Sequence, residues 1–491
     1  MIPRSIRAQR EFGGGQIDAS ARRRDDQDFL KTGGRQMSNW RRRSTGSMEQ
    51  RPGRRAVFKA AAARLEYFRM APGYEYFICF ADNQVIIYDP AGNVAFSNTD
   101  GAYLWTSGSS ASIVWCQAQF EIIICFPGMQ PQVLTWDRAA HTWSASAFTF
   151  VTQSGIVKEP FYRFSIPGAT MTYSGTTGSV TLTCSKPYFT AAMIGSRLSI
   201  LGCQVTLTAV ADSTHATATV ANKLPDCAIF YVNSSAGFMP GQVAKTSNTN
   251  TKIEVGSVGT LSAPINWWNG SNSIVVPAGT AYVCGCMMSP QSYDQQVFNA
   301  NNLLGPSADL LVGPSTKTTM IAQPNNYAVP QPTVQWAEEF MSAHQGWPQG
   351  CAYDAGRIIF YDFPQMPDAV LWGSLYGPRF FWIDSTAATT DTTAGADASS
   401  AILEFVSPSG RTRPRVRHVV GWGDEFVFTD SGIFYVPISS QNPLKPGSVE
   451  LDHARDGRRP WACRWPFGQA HLRDTAFREP DPSACAGRAG A

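Results

Sequence analysis

The chain has 491 residues, enough for two to four compact units each with its own core. Charged residues make up 16% of it, against roughly 25% in an ordinary soluble protein, so the surface suits broad, uncharged contacts between subunits. No apolar run reaches the ~18 residues of a membrane helix, and no apolar stretch follows Arg4, Arg7 and Arg10, so neither a membrane span nor an export signal is expected.

The net charge of +3 conceals an asymmetry. Residues 1–60 hold 15 Lys and Arg against six Asp and Glu, a net +9, which leaves residues 61–450 at −8 once the +2 of residues 451–491 is set aside. A basic arm on a mildly acidic body fits an anionic partner at one end, and a body that does not hold DNA by phosphate contacts. A merely solvated arm is the alternative.

Residues 1–60 read as that arm: glycines at 13–15, Arg22-Arg23-Arg24, Arg41-Arg42-Arg43 and the turn-prone Arg51-Pro52-Gly53, with only a short strand expected from Arg55 to Lys59. Over 61–150 the pattern becomes β. Tyr76–Phe80 and Val85–Asp89 flank Ala81-Asp82-Asn83-Gln84 as a hairpin would. The same layout recurs at Ile113–Phe126 around Ala118-Gln119, at Cys351–Asp362 around Asp354-Ala355-Gly356, and at His418–Pro437 around Gly423-Asp424 and Ser431-Gly432. Repeated hairpins with no helical period between them predict an all-β chain, an incomplete or split β-propeller with blades in 61–150 and 336–450.

The intervening 151–335 is too long for a blade connection and is expected to be an inserted β-barrel or sandwich. Gly178–Cys184, Arg197–Leu201, Cys203–Val210 and Thr214–Val220 alternate as strands, placing one such domain over about 165–235. Residues 255–293 hold no charge in 39 positions yet carry Trp267, Trp268, Met287 and Met288, so they are buried in a domain of their own or form a contact surface. The 11 cysteines are scattered through apolar runs and read as core thiols. Only Cys284-Gly285-Cys286 is closely spaced, with no second pair at zinc-ligand spacing.

Residues 451–491 lack Ile, Val, Tyr, Met, Lys and Asn. A β-rich chain rarely loses all these together, so the segment reads as out-of-frame translation of a GC-rich gene or a truncated terminus, with the frame lost near Leu451. A disordered basic tail is the other reading.

Chemistry is not signalled. Six dispersed histidines stand beside no His-x-x-x-His or Gly-x-Ser-x-Gly element, and Gly13-Gly14-Gly15 is not followed by Gly-Lys-Ser/Thr. Acidic neighbours such as Glu338-Glu339 and Asp25-Asp26 fix no glycosidase-like separation. No catalytic, cofactor-binding or metal-binding residue is assigned, and aromatics interleaved with Arg follow the period of two of sheet cores.

Two ordered sets of residues resemble the nozzle, or tail tubular protein B, family of short-tailed bacteriophages. The first is Phe12-Gly13-Gly14-Gly15-Gln16, Arg24-Asp25 with Phe29, Asn39, Gly46 and Arg51-Pro52-Gly53. The second is Gly346-Trp347-Pro348, Arg357–Tyr361, Pro367 to Ser374 with Trp372, and Gly377. Between them Pro131–Trp136 with Trp143 is similar to the family's Pro-x-x-Leu turn, and Phe189–Gly195 with Val205–Val220 resembles its inserted β-domain. The chain departs in being more basic at Arg22-Arg23-Arg24 and in ending where family members continue with further blades.

The resemblance implies a structural, non-enzymatic virion protein assembled in the host bacterial cytoplasm. It implies a homo-oligomer, a hexameric ring or tube below the tail adaptor or portal ring, beside fibres or spikes, passing phage DNA without sequence specificity. No cofactor is implied, and the motif residues are structural: glycines for tight turns and Pro52 to pre-set one. Arg41, Arg42, Arg43, Arg54 and Arg55 are the candidate adaptor or DNA contacts. The competing reading is a receptor-binding or polysaccharide-cleaving tail adhesin.

Overall fold

Ala355 (φ 48°) and Gly356 (φ 82°) turn the chain between strands Gly350–Asp354 and Arg357–Tyr361. Two successive left-handed residues match the right-handed twist of the flanking strands, which is why Gly is favoured in such turns. This hairpin begins one of four four-stranded antiparallel sheets whose strands follow chain order. The first comprises Arg64–Ala71, Tyr74–Ala81, Gln84–Tyr88 and Val94–Asn98, the second Val114–Ala118, Glu121–Phe126, Met129–Trp136 and Trp143–Ala147. The third comprises Gly350–Asp354, Arg357–Tyr361, Ala369–Trp372 and Ile402–Phe405, the fourth Val416–Trp422, Asp424–Thr429, Gly432–Val436 and Asp452–His453. The hairpins expected around 82–83, 118–119, 354–356 and 423–432 are all formed.

These elements come from a computed structural model, which describes residues 11–18, 32–34, 36–51, 56, 58–59, 64–99, 101–164, 166–225, 227–246, 252–268, 273–287, 309–312, 315–322, 331–383, 399–406, 413–422, 424–438, 444–446, 449 and 452–453. The all-β expectation holds: helix is confined among them to 3-10 turns such as Ser107–Ser112 and Ala191–Met193. No helix of the described residues is long and apolar enough to cross a membrane.

The chain divides into two compact units, residues 1–112 with 135–145, and 113–134 with 146–491. In the first, Phe68 and Tyr76 meet Trp143 edge to face at 5.7 and 5.5 Å, and Trp105 Nε1 donates to the Ala81 carbonyl at 2.8 Å. Aromatic pairs in such geometry add about 1 kcal/mol beyond their area. The arm is more ordered than its sequence suggests. Gly15–Gln16 pairs in parallel with Gly33–Gly34, and Trp40–Arg42 forms a hairpin with Met48–Gln50. The strand expected at 55–59 is not found at 56, 58 or 59, and residues 55 and 57 lie outside the described ones. Phe58 instead packs its ring on Tyr88 at 4.8 Å.

In the second unit the third sheet is covered on both faces. Along Arg357–Tyr361 every residue is buried, and alternate side chains serve different cores. Ile358 and Phe360 join Ile123, Cys125 and Phe148, whereas Ile359 and Tyr361 join Val416, Val427 and Phe434 of the fourth sheet. Burial on both faces is what an unbroken apolar strand such as Ile-Ile-Phe-Tyr encodes.

The inserted segment enters at Phe161–Tyr162 and returns at Trp336–Glu339, and these two strands pair with each other. Adjacent entry and exit are what allow a fold to carry an insertion. The insertion is two β-structures, where the sequence placed one near 165–235 and left 255–293 as a domain of its own or a contact surface. A seven-stranded sheet runs in the order 161–162, 336–339, 197–200, 203–210, 215–220, 179–184 and 171–173. Its core is built on Leu182, Leu198, Ile200, Val205, Leu207 and Trp336. A closed six-stranded barrel follows, from Cys227–Val232, Val243–Thr246, Lys252–Thr260, Ala281–Met287, Asp309–Val312 and Ser315–Ala322.

Two cysteines correct the all-thiol expectation. Cys227 and Cys286 sit opposite each other on neighbouring barrel strands, with Cα atoms 4.0 Å apart, and are disulfide-bonded. Cys286 is therefore not available to a metal, while burial pushes the Cys284 thiol up to about 11. In the uncharged stretch, Ile265–Trp268 and Ser273–Val276 form a separate hairpin on which Val275 is exposed and Val276 buried. The strand Asp452–His453 pairs with Tyr435 and Phe434, so the fourth sheet extends past Leu451; residues 454–491 lie outside the described residues.

The double burial yields a quantitative expectation. Phe360→Ala should cost about 3–5 kcal/mol of unfolding free energy, because its ring meets Phe148 at 5.1 Å and Phe381 at 5.6 Å. Leu375→Ala, at a residue 48% exposed, should stay within about 0.5 kcal/mol. Denaturant unfolding of both variants checks the contrast, and equal losses would contradict it.

Candidate functional site

The family-like residues of 346–377 gather on the third sheet and act as ties. Gly346 has φ 96°, and a Cβ there would lie 2.8 Å from Pro364, so glycine is required both by conformation and by space. Pro348 is buried just before the first strand of this sheet. Arg357 is almost wholly buried, and its guanidinium donates to the carbonyls of Gly373 at 2.5 Å and Ser400 at 2.7 Å. Ser374 Oγ donates to the Ser399 carbonyl at 2.6 Å. Arg357 and Ser374 thus pin the point at which the chain returns to the sheet's last strand. The Pro367 carbonyl accepts from Val416 N at 2.9 Å, joining the third sheet to the fourth. Gly377 is different: its φ is not positive and a Cβ would meet nothing within 4 Å, so the turn-or-clash account does not apply to it.

Trp372 ties the third sheet to the fourth. Its Nε1 donates to Glu425 Oε2 at 2.7 Å, a hydrogen bond from third sheet to fourth with both side chains buried. Glu425 Oε1 has no partner among the described residues. Burial, with the Asp354 charge adding to it, pushes the Glu425 carboxyl up to about 7, against the opposing Trp372 bond and Arg357 charge. The approach is close enough that a Cβ on Gly421 would overlap the Asp354 side chain at 2.0 Å. Nothing in the sequence links Glu425 to Trp372, 53 residues away. The available signal was an acid on the core face of the alternating Glu425-Phe426-Val427-Phe428-Thr429.

The arm residues form a second, separate feature. Gly46 (φ 81°) turns the hairpin, and the Asn39 carbonyl (φ 64°) accepts from Arg51 N at 2.8 Å, closing its base. Gly13 has no positive φ, and a Cβ there would make only an ordinary contact with Thr32 Oγ1 at 4.0 Å, while Gly14 N bonds the Thr32 carbonyl at 3.1 Å; the left-handed glycine of the trio is Gly15. Arg41 and Arg43 both reach Glu49, at 3.1 and 2.9 Å, and hold its carboxyl down to about 2, Arg43 foremost. Arg42 donates to the Gly13 carbonyl. The hairpin therefore displays three arginines against one acid, beside a Trp40 ring that is 48% exposed. Arg24, Asp25, Pro52, Gly53, Arg54 and Arg55 lie outside the described residues.

A shallow cleft lies between Gln119, Tyr353, Ser374, Arg379 and Phe381. Its one lining cation, Arg379, is neutralised by Glu121, so the described residues of the cleft present no free positive charge to a ligand. Among the described residues no group of three or more His, Cys, Asp and Glu could hold a metal ion. No protein-family model matches the chain, and no curated protein matches it.

The raised Glu425 carboxyl fixes a sign. A carboxyl whose folded pKa exceeds its unfolded one stabilises fully below the unfolded value, near 4.5, and that stability is lost as pH rises through about 7. Glu425→Gln should therefore be more stable than the parent at pH 8.5, on the order of 2 kcal/mol, with little gain at pH 5. Thermal melts of both proteins across this range check it, and parallel pH slopes would remove Glu425 as a contributor.

Proposed function

We propose that this chain is a structural component of a short-tailed phage tail, forming the nozzle ring or tube through which genomic DNA is retained and ejected. The observation that carries the reading is the ordered 346–374 motif set: its turn, Arg, Trp and Ser positions serve as ties within and between four-stranded sheets. A protein whose described motif residues over 346–374 serve as ties within and between sheets is suited to be a wall. In this reading the four sheets are blades of a split propeller, and the insertion projects from it.

The subunits form a hexamer, and the arm docks on the adaptor ring. Support for docking is the exposed Trp40 and Arg41–Arg43 hairpin on a +9 segment, since a surface of this kind recognises an acidic or phosphate-bearing partner. DNA passes without sequence readout because the mildly acidic body does not grip phosphates.

Two measurements test the proposal. Native mass spectrometry of the purified full chain should give a hexamer, alone or on addition of the adaptor. A trimer that digests capsular polysaccharide would establish the adhesin instead. Replacing Arg41, Arg42 and Arg43 with Glu should leave the folded protein intact but reduce its incorporation into tails at least tenfold in an in vitro assembly assay, and normal incorporation would reject the arm as the docking element.

A further inference from the structure

The joint between the insertion and the third sheet is built on an unbalanced set of buried charges. The segment 158–161 runs between two partners. On one side Phe381 N donates to the Lys158 carbonyl at 2.8 Å and Phe161 N to the Ile383 carbonyl at 2.7 Å. On the other, Phe161 and Tyr162 pair with Glu339 and Glu338, and that strand pairs in turn with Leu198–Ile200. Backbone hydrogen bonds are thus continuous from the Phe381–Ile383 segment beside the third sheet into the inserted sheet.

At this joint Glu159 is wholly buried and Glu339 nearly so, and one guanidinium serves both. Arg197 grips Glu159 with two hydrogen bonds of 2.5 Å and reaches Glu339 Oε2 at 3.1 Å. Gln204 Nε2 adds a bond to Glu159 Oε1 at 3.2 Å, and Gln204 Oε1 accepts from Val157 N at 3.0 Å. The other described groups nearby do not supply a second positive charge. Lys158 places its ammonium 4.6 Å over the Trp382 ring, Ser196 offers Glu339 a neutral hydrogen bond, and Glu338 is occupied by Gln345 at 2.6 Å with His344 and Tyr188 beside it. Two buried carboxylates therefore share one cation, and a buried negative charge without its own partner is costly.

We propose that the base of the insertion is a proton-controlled joint: Glu339 carries a proton when the entry and exit strands are closed, and its loss loosens them by repulsion from Glu159. Burial pushes both carboxyls up, Glu159 against the Arg197 grip that opposes it; the bidentate hydrogen bonds of Arg197 place the shared negative charge on Glu159 and leave the proton to Glu339. Burial, and next the Glu159 charge, push the Glu339 carboxyl up to about 8. Its folded value lies above the unfolded 4.5, so the closing contribution is complete below about pH 4.5 and disappears as pH rises through 8. At neutral pH the joint is closed and stands within one or two pH units of release. The attachment of the insertion is thereby tunable without any change in the sheets themselves.

Hydrogen–deuterium exchange of the full chain at pH 6.5 and 9, corrected for intrinsic exchange rates, reads this directly. Protection over 336–339 and 197–200 should fall at least threefold at the higher pH, while 179–184 and 215–220 of the same sheet keep theirs. Glu339→Gln should abolish the fall. Glu159→Gln should do so too, because it leaves Glu339 alone with Arg197, and it serves if the first variant does not fold. Unchanged protection in the parent, or the same fall in a folded Gln variant, would overturn the proposal.

Discussion

The second unit depends on one strand being buried on both of its faces. Because side chains of a β-strand alternate, the five residues Arg357–Tyr361 supply two cores at once: Ile358 and Phe360 to one, Ile359 and Tyr361 to the other. A sheet so placed cannot be removed without exposing apolar surface on both neighbours. The Trp372–Glu425 hydrogen bond and the Pro367 carbonyl then fix register across contacts that apolar packing alone would leave free to slide. Non-directional burial supplies the cohesion and a few buried polar ties supply the geometry.

Those ties leave carboxyls in places where ionisation is unfavourable. Glu425 at the sheet-to-sheet contact and Glu339 at the base of the insertion are both pushed up, each chiefly by burial. They stabilise in the same direction, most at lower pH, so their effects add in a global melt and separate only in a local measurement. Proton sensitivity is thus concentrated where elements meet, at the sheet-to-sheet contact and at the base of the insertion.

How much of this could be read in the sequence follows from what each element depends on. Hairpins were legible because their turns carry residues that tolerate positive φ, as at Asn83 and Gly356, between unbroken apolar runs. The arm's small strands were not, since they are held by backbone bonds such as Phe12 N to the Gly46 carbonyl and not by an apolar pattern. The closure of the barrel was not legible because its first strand, Cys227–Val232, pairs with Ser315–Ala322 far along the chain, nor was the Cys227–Cys286 bond, whose ends lie 59 residues apart. Trp372 and Arg357 stood out as motif residues, yet their partners Glu425 and Ser400 are distant in the chain. Glu159, Arg197 and Glu339 meet only through strand pairing, so no local spacing could announce them.

We propose above that this chain forms part of the wall of a phage tail. Electron cryomicroscopy of particles whose copies of the chain carry a small tag tests it most directly. The exposed turn Pro277–Gly279, next to the solvent-facing Val275, accepts such a tag without disturbing a core. The account predicts six copies around the distal tail axis, four-stranded sheets lining a channel and tagged insertions on the outside. Tag density in three copies on a peripheral spike, or no tag density on the particle, would contradict it.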